Sequence, residues 1–312
     1  MDTVPRPSGV ADDAAAAALP PPRHGFATVL MVVASVIMSF GGLIVRNIEA
    51  ADPWQINLYR ASGLVLAIGI ILVCQYRAAT MSRIRQIGPY GLLAGVLLAA
   101  AGLAILQSIT HTTVANTLFT LSAIPFVTAG LAWLVLGEKP RPATLVTMVV
   151  AAGGIFVMVA EGIGAGSPFG NGMALVTAVC FSGFAVIVRR HREVDMLPTI
   201  LISGVIIVVI CFALRYDDLA VSTHDFVLSF FWGSVMTGVA NWFFIVASRH
   251  MVAAEVTLFM LLEFALGPIW VWWFVNEVPS RWTLVGGTLV IAAVAIRAVI
   301  QLRRSGPPST SR

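Results

Sequence analysis

Charge is what this chain has least of: 11 % of its 312 residues are Asp, Glu, Lys or Arg, against about 25 % in soluble globular domains. So few charges cannot coat a compact soluble particle of this length. A soluble enzyme is thereby excluded. With 58 % hydrophobic residues and a mean hydropathy of +0.91, so is a disordered chain. Cysteine is also scarce. Cys74, Cys180 and Cys211 each sit in an apolar run, are odd in number and form no CxxC. They read as small buried hydrophobes, with neither a disulfide framework nor a metal site. The sequence holds no Gly-rich phosphate loop, no cluster of metal ligands and no nucleophile constellation. It therefore offers no catalytic residue, no metal and no cofactor site. The formal charge of +4 does not indicate nucleic acid, because the basic residues are scattered along the chain.

What the chain has instead is long apolar runs. Ten can be marked, at 26–46, 54–75, 88–108, 113–136, 142–160, 170–189, 197–214, 226–248, 252–275 and 282–301, each near the roughly 20 residues that a helix needs to cross the hydrocarbon core. The expected fold is an all-α integral membrane protein of ten transmembrane helices. Residues 1–25 read as a disordered tail: Ala14 to Ala18 form an alanine run, Pro20 to Pro22 follow, and Asp2, Asp12 and Asp13 break any signal-peptide pattern. Residues 303–312 read as a second polar tail.

With the N-terminus placed in the cytoplasm, Arg6, Arg23, Arg77, Arg83, Arg85, Lys139, Arg141, Arg189, Arg190, Arg192, Arg249, Arg303, Arg304 and Arg312 fall inside, and Arg46, Arg215 and Arg281 fall outside. That is 14 against 3, with Arg60 and Arg297 within spans making up all 19. The positive-inside rule thus predicts cytoplasmic termini, as an even number of spans requires. Trp54, Trp232 and Trp282 are expected at the outer interface, and Arg297, one turn from a cytoplasmic helix end, is expected to snorkel.

The two halves of the chain echo one another. Glu138 and Glu277, Pro140 and Pro279, and Thr144-Leu145 and Thr283-Leu284 share an offset of 139, while Ile44-Val45-Arg46 echoes Ile187-Val188-Arg189 at 143. A unit of five spans crosses the membrane an odd number of times, so its copy must enter upside down. Such inverted repeats are a building principle of secondary transporters.

With Leu-Ser-Ala-Ile-Pro-Phe…Leu-Val-Leu-Gly-Glu at 121–138 and Leu-Leu-Glu-Phe…Phe-Val-Asn-Glu at 261–277, the chain resembles the paired EamA domains of the drug/metabolite transporter superfamily. The resemblance covers about residues 26–302 and implies a first repeat at 26–160 and a second at 169–302. The second half departs from the pattern in two places. Asn276 stands where glycine is expected before Glu277, and Phe264 replaces the proline that commonly follows the Leu-Glu pair, with Pro268 one turn later.

Glu263 is the strongest single pointer to a site, because it falls near the bilayer midplane, where an ionised carboxylate is costly and usually faces a cavity. Two readings stay open: a substrate or proton site, or a protonated side chain bonded to a neighbouring helix. Arg60, one to two turns inside span two, is the natural counter-ion, as an ion-pair partner or as a substrate contact; an Arg near this point is common in the family. Glu255, a turn from the cytoplasmic end of span nine, is expected to reach interfacial water or a neighbouring Arg. Pro125 and Pro268 interrupt spans four and nine and are expected to kink them, in the manner of broken helices around a central site. Asn241, Trp242, Ser35, Ser39, Ser182 and Trp270 would supply polar and aromatic contacts to a small solute. Gly91 and Gly95 form a GxxxG whose expected role is packing within the chain.

These readings imply a membrane transporter, powered by no ATPase of its own. By resemblance it moves a small organic metabolite, such as an amino acid or an amphiphile, outward across the plasma or inner membrane. Its partners would be that solute and the lipid bilayer, as monomer or homodimer. Three alternatives stand beside it, one of them a channel, which would conduct far faster than a carrier turns over. An integral membrane enzyme acting on lipid headgroups would need an interfacial His, Asp, Ser or Lys cluster, and loop 215–225, with Asp217, Asp218, His224 and Asp225, is the only dense polar patch. A nucleotide-sugar carrier would need a Lys/Arg pair within the spans for the diphosphate.

Overall fold

The computed structural model describes residues 24–112, 114–160, 167–276 and 280–304, which form helices and short connections. Ten helices among them are long and apolar enough to cross a membrane: spans one to ten are His24–Asn47, Pro53–Gln86, Gly88–His111, Asn116–Leu136, Pro142–Val159, Pro168–Arg190, Leu197–Arg215, Thr223–Ser248, Ala253–Val275 and Arg281–Ile300. Both tails lie largely outside the described residues, as do Glu277 and Pro279 of the sequence echo.

Local chemistry sets where spans begin. Asp52 accepts from the amides of Trp54 (2.7 Å) and Gln55 (3.0 Å) while Gln55 Oε1 accepts from the Asp52 amide (2.9 Å), a capping box with Pro53 at the first helical position. Ser167 and Ser222 cap spans six and eight in the same way, accepting from Gly170 (3.1 Å) and Asp225 (3.0 Å).

Four spans are less regular than the apolar runs suggest, and span one divides at Phe40 into His24–Ser39 and Gly41–Asn47. Span two continues past Tyr76 through a 3-10 turn, Arg77–Ala79, into a short helix, Thr80–Gln86. Span four breaks into Val114–Leu121 and Ile124–Leu136, with Pro125 in the first turn of the second piece, where its missing N–H costs nothing. Span eight carries a π-helical segment, Trp232–Thr237. Span nine, by contrast, is one continuous helix with Pro268 inside it. The kink expected at Pro268 is therefore not a break, although the ring still leaves the Phe264 carbonyl without its usual amide donor.

Packing pairs the halves. Span three lies on span six and span eight on span one; span one lies on span nine and span six on span four; span seven lies on span three and span two on span eight. Spans two and seven, five and ten, and four and nine pack as reciprocal pairs. Exchanging the halves maps this set of neighbours onto itself. Two close approaches depend on missing side chains. A Cβ on Gly233, in the π-helical segment, would sit 1.7 Å from the Arg60 carbonyl oxygen, so span eight lies directly on the main chain of span two. A Cβ on Gly95 would sit 2.7 Å from Ile202, so this glycine serves packing on span seven.

The largest apolar cluster runs through most of the spans, and Phe184, Val188, Met196, Leu197, Phe244 and Val256 carry it to where spans six and eight end and spans seven and nine begin. This is the face that carries Arg189, Arg190, Arg192 and Arg249, called here the basic face. Polar links seal it: Arg189 pairs with Glu138 (2.9 Å) and donates to the Ser248 carbonyl (3.2 Å), and Arg249 pairs with Asp195 (2.7 Å), which also accepts from Tyr76. At the opposite face, Asp52 pairs with Arg215 (2.7 Å). The buried Asp225 carboxylate there accepts from the amides of Glu49, Ala50 and Ala51, each at 3.0 Å.

Three further expectations need correction. Arg297 does not snorkel: it is 2 % exposed and donates to Glu255 and to Thr144 (2.8 Å). Trp232 is not an interfacial anchor, since its ring lies under the Arg60 guanidinium, 5.0 Å from centroid to Cζ. Cys74 is exposed on its helix rather than buried.

Candidate functional site

A cavity of about 190 Å³ opens between the halves. Its floor and walls come from eight of the ten spans: Met31 and Ser35, Arg60 and Leu64, Leu98 and Gly102, Leu121 and Ile124, Thr177 and Phe181, Ser203 and Ile207, Thr237 and Asn241, and Met260 and Glu263. Along span nine, Glu263 lies ten residues past Ala253, or about 15 Å at 1.5 Å per residue, which is mid-depth in a hydrocarbon core of about 30 Å. Arg60 lies seven residues past Pro53. Glu263 and Arg60 thus place the cavity between mid-depth and the face of Asp52, and Phe244, which lines it, stacks on Phe184 with ring centroids 5.6 Å apart.

Of the residues singled out from the sequence, Glu263, Arg60, Asn241 and Ser35 line this cavity together. Glu263 and Arg60 are the only ionisable groups among its lining residues. They are not bonded to one another. Arg60 Nη2 donates to Asn57 Oδ1 (2.8 Å), and its guanidinium stacks on Trp232. Glu263 makes no hydrogen bond and no ion pair among the described residues. Each therefore presents its charge-bearing group to the cavity.

The hydroxyls and the amide are oriented differently. Ser35 Oγ donates toward the carbonyls of Met31 and Phe259 (2.9 Å each), Thr177 to Met173 (2.9 Å) and Ser203 to Ile200 (2.8 Å). Asn241 Nδ2 donates to the Thr237 carbonyl (2.9 Å). With their hydrogens committed to main chain, the hydroxyls offer the cavity acceptor oxygens, whereas the Asn241 amide keeps a second N–H beside its carbonyl oxygen.

The other singled-out residues lie off the cavity. Ser182 is fully buried between spans, accepting from Thr128 (2.9 Å) and donating to the Ile124 carbonyl (3.2 Å); that bond joins span six to the break beside Pro125. Trp270 Nε1 donates to Ser39 Oγ (2.7 Å) and its ring stacks on Phe40 at 4.4 Å, so this pair ties span nine to span one. Trp242 is 38 % exposed on the outer surface of span eight. Asn57 and Trp232, which touch Arg60, and Thr237, which lines the cavity, escaped the sequence reading. Of these, Asn57 was within reach, because it sits one helical turn before Arg60 and so shares its face.

Comparison with known proteins gives the site its context. The model of the EamA-like transporter family matches residues 25–160. The pseudopaline exporter CntI of Pseudomonas aeruginosa, from strains PAO1 and UCBPP-PA14, is 25 % identical over 273 residues, covering 85 % of this chain and 93 % of the relative. A solved crystal structure shares the fold with a TM-score of 0.72 at 18 % identity, covering 90 % of this chain and 99 % of the other. Ten apolar helices, eight of which line a shared cavity, together with these likenesses identify a multi-pass membrane transporter, whose residues 25–160 are similar to the EamA-like transporter family.

Proposed function

We propose that this protein is a secondary transporter that exports a small organic metabolite, an amino acid or an amphiphile, across the plasma or inner membrane by alternating access. Both termini are cytoplasmic in this reading, which follows from the distribution of Lys and Arg, and residues 26–160 and 169–302 are inverted repeats. The exchange symmetry of the helix packing supports that relation. The observation that carries the proposal is Glu263, a carboxylate at mid-depth, open to a cavity built by both halves and left without a partner. A partnerless carboxylate in such a place can take up a proton or a cationic group from one side and release it on the other.

In the state described, the cavity lies toward the face of Asp52 while the basic face is sealed. Transport then requires the Arg189–Glu138 and Arg249–Asp195 pairs to part as the Asp52–Arg215 side closes. A ligand drives this exchange only by binding the two states unequally. The name of the CntI relative speaks for export, and the family description for transport. Reconstitution in liposomes with labelled metabolites, each with and without an imposed pH gradient, tests the reading. Glu263→Gln is expected to abolish the response to the gradient. Unchanged transport and unchanged pH dependence in that variant would refute proton coupling at Glu263.

A further inference from the structure

On the basic face, spans two and three are joined through the 3-10 turn Arg77–Ala79 and the short helix Thr80–Gln86. Arg77 lies 24 residues past Pro53, or about 36 Å at 1.5 Å per residue, beyond a hydrocarbon core of about 30 Å. This connector therefore sits at the depth of lipid headgroups. It carries Arg77, Arg83 and Arg85, all exposed, and the sequence holds no acidic residue between Asp52 and Glu138. None of the three forms an ion pair among the described residues. Arg83 Nη1 donates to Gln86 Oε1 (3.0 Å), a neutral amide, so its charge stays unbalanced. Beside these guanidinium groups, Val73 and Met81 are exposed apolar side chains, suited to acyl chains. Cations next to exposed apolar side chains are the footprint of a membrane interface, where each Arg attracts anionic lipid. The opposite rim differs. Glu49, Asp52, Asp217, Asp218 and Asp225 belong to it, and its Arg215 is already paired with Asp52.

Arg83 also connects this surface with the seal of the basic face. Its guanidinium lies over the Tyr76 ring, 5.3 Å from centroid to Cζ. The Tyr76 hydroxyl donates to Asp195, and Asp195 pairs with Arg249 at 2.7 Å. A line of contacts thus runs from the connector through the end of span two to the ends of spans six and eight. We infer that Arg77, Arg83 and Arg85 form a docking surface for the headgroups of anionic phospholipids, and that lipid bound there holds the basic face shut through Tyr76. A headgroup that fixes Arg83 also fixes the ring beneath it against Asp195. Lipid affinity is then higher in the sealed state than after Tyr76 leaves Asp195, the unequal binding that a shift in population requires. The docking surface stands without transport; its effect on the seal rests on the alternating-access reading above.

Purified full-length protein in detergent is titrated with phosphatidylglycerol, phosphatidylcholine and inorganic phosphate, and thermal stabilisation gives the apparent affinity of each. Phosphatidylglycerol is expected to bind about tenfold or more tightly than phosphatidylcholine, and inorganic phosphate to give no stabilisation at equal concentration. Replacing Arg77, Arg83 and Arg85 by Gln should cost about fivefold in phosphatidylglycerol affinity for each arginine removed. Arg281→Gln, on the opposite face, should cost nothing. In nanodiscs, amide hydrogen exchange at residues 190–196 and 246–252 reads the seal. It is expected to slow several-fold when phosphatidylglycerol is added to phosphatidylcholine. Tyr76→Phe keeps the ring under Arg83 but loses the bond to Asp195, so it should remove that slowing while lipid affinity persists. Equal affinity for the two lipids, or equal stabilisation by inorganic phosphate, would overturn the docking surface. Exchange that ignores lipid charge would overturn the coupling to the seal. These comparisons use the unsubstituted protein, so they stand even where a variant fails to fold. Lipid-dependent exchange without transport in liposomes would instead overturn the transport reading alone.

Discussion

Span nine carries two carboxylates in apolar surroundings, and they have opposite fates. Glu255 is 2 % exposed and accepts from Arg297 and from Thr144 (3.2 Å), which joins spans five, nine and ten. Glu263, two turns further along the same helix, faces a cavity with no partner. One is consumed by structure and the other is left available. Burial alone therefore does not separate these two charges; what separates them is that Glu255 is compensated and Glu263 borders a cavity without a partner.

The comparison breaks most readily at its structural end. Glu255→Ala leaves the Arg297 guanidinium buried and unpaired, a change that typically costs about 3–5 kcal/mol. It is expected to lower the unfolding temperature in detergent more than any other substitution named here, and replacing Glu255 and Arg297 together by apolar residues should recover most of the loss. Gly233→Ala comes next, since its methyl group cannot coexist with the Arg60 carbonyl. Overpacking of this kind costs about 1–3 kcal/mol, and the same change should weaken ligand binding by displacing Arg60. Ser39→Ala removes the acceptor of the Trp270 indole, for an expected loss of about 1–2 kcal/mol measured by thermal unfolding. Glu263→Gln sharpens the contrast, because with no partner to strand it should change stability by less than about 0.5 kcal/mol while altering transport. Trp242→Phe, on the outer surface, is expected to leave both transport rate and stability as they were.

Much of the fold was legible in the sequence because the bilayer demands apolar stretches of fixed length, and those stretches show in a single chain. Ten spans are found where ten runs were marked. The position of Glu263 within its span was legible too: it lies ten residues past Ala253 in the helix Ala253–Val275. Azimuth was not. Whether Arg297 turns to the interface or to Glu255, and whether Ser39, Ser182 and Trp270 face the cavity or a neighbouring helix, depends on how each helix is rotated among the others. Ser39 and Ser35 lie one turn apart on span one, yet one serves Trp270 and the other borders the cavity. The surroundings of Arg60 were hidden for a further reason. The π-helical segment at Trp232–Thr237 shifts the register of span eight, and no apolar pattern announces it.

Asp225 is a clasp between two segments distant in sequence. Its single carboxylate holds three consecutive amides, those of residues 49 to 51, in the connector between spans one and two. That connector cannot part from the head of span eight without stranding all of these groups at once. Helices drawn from opposite ends of the polypeptide are thereby yoked at one rim, so that tilting any of the three hauls the other two along.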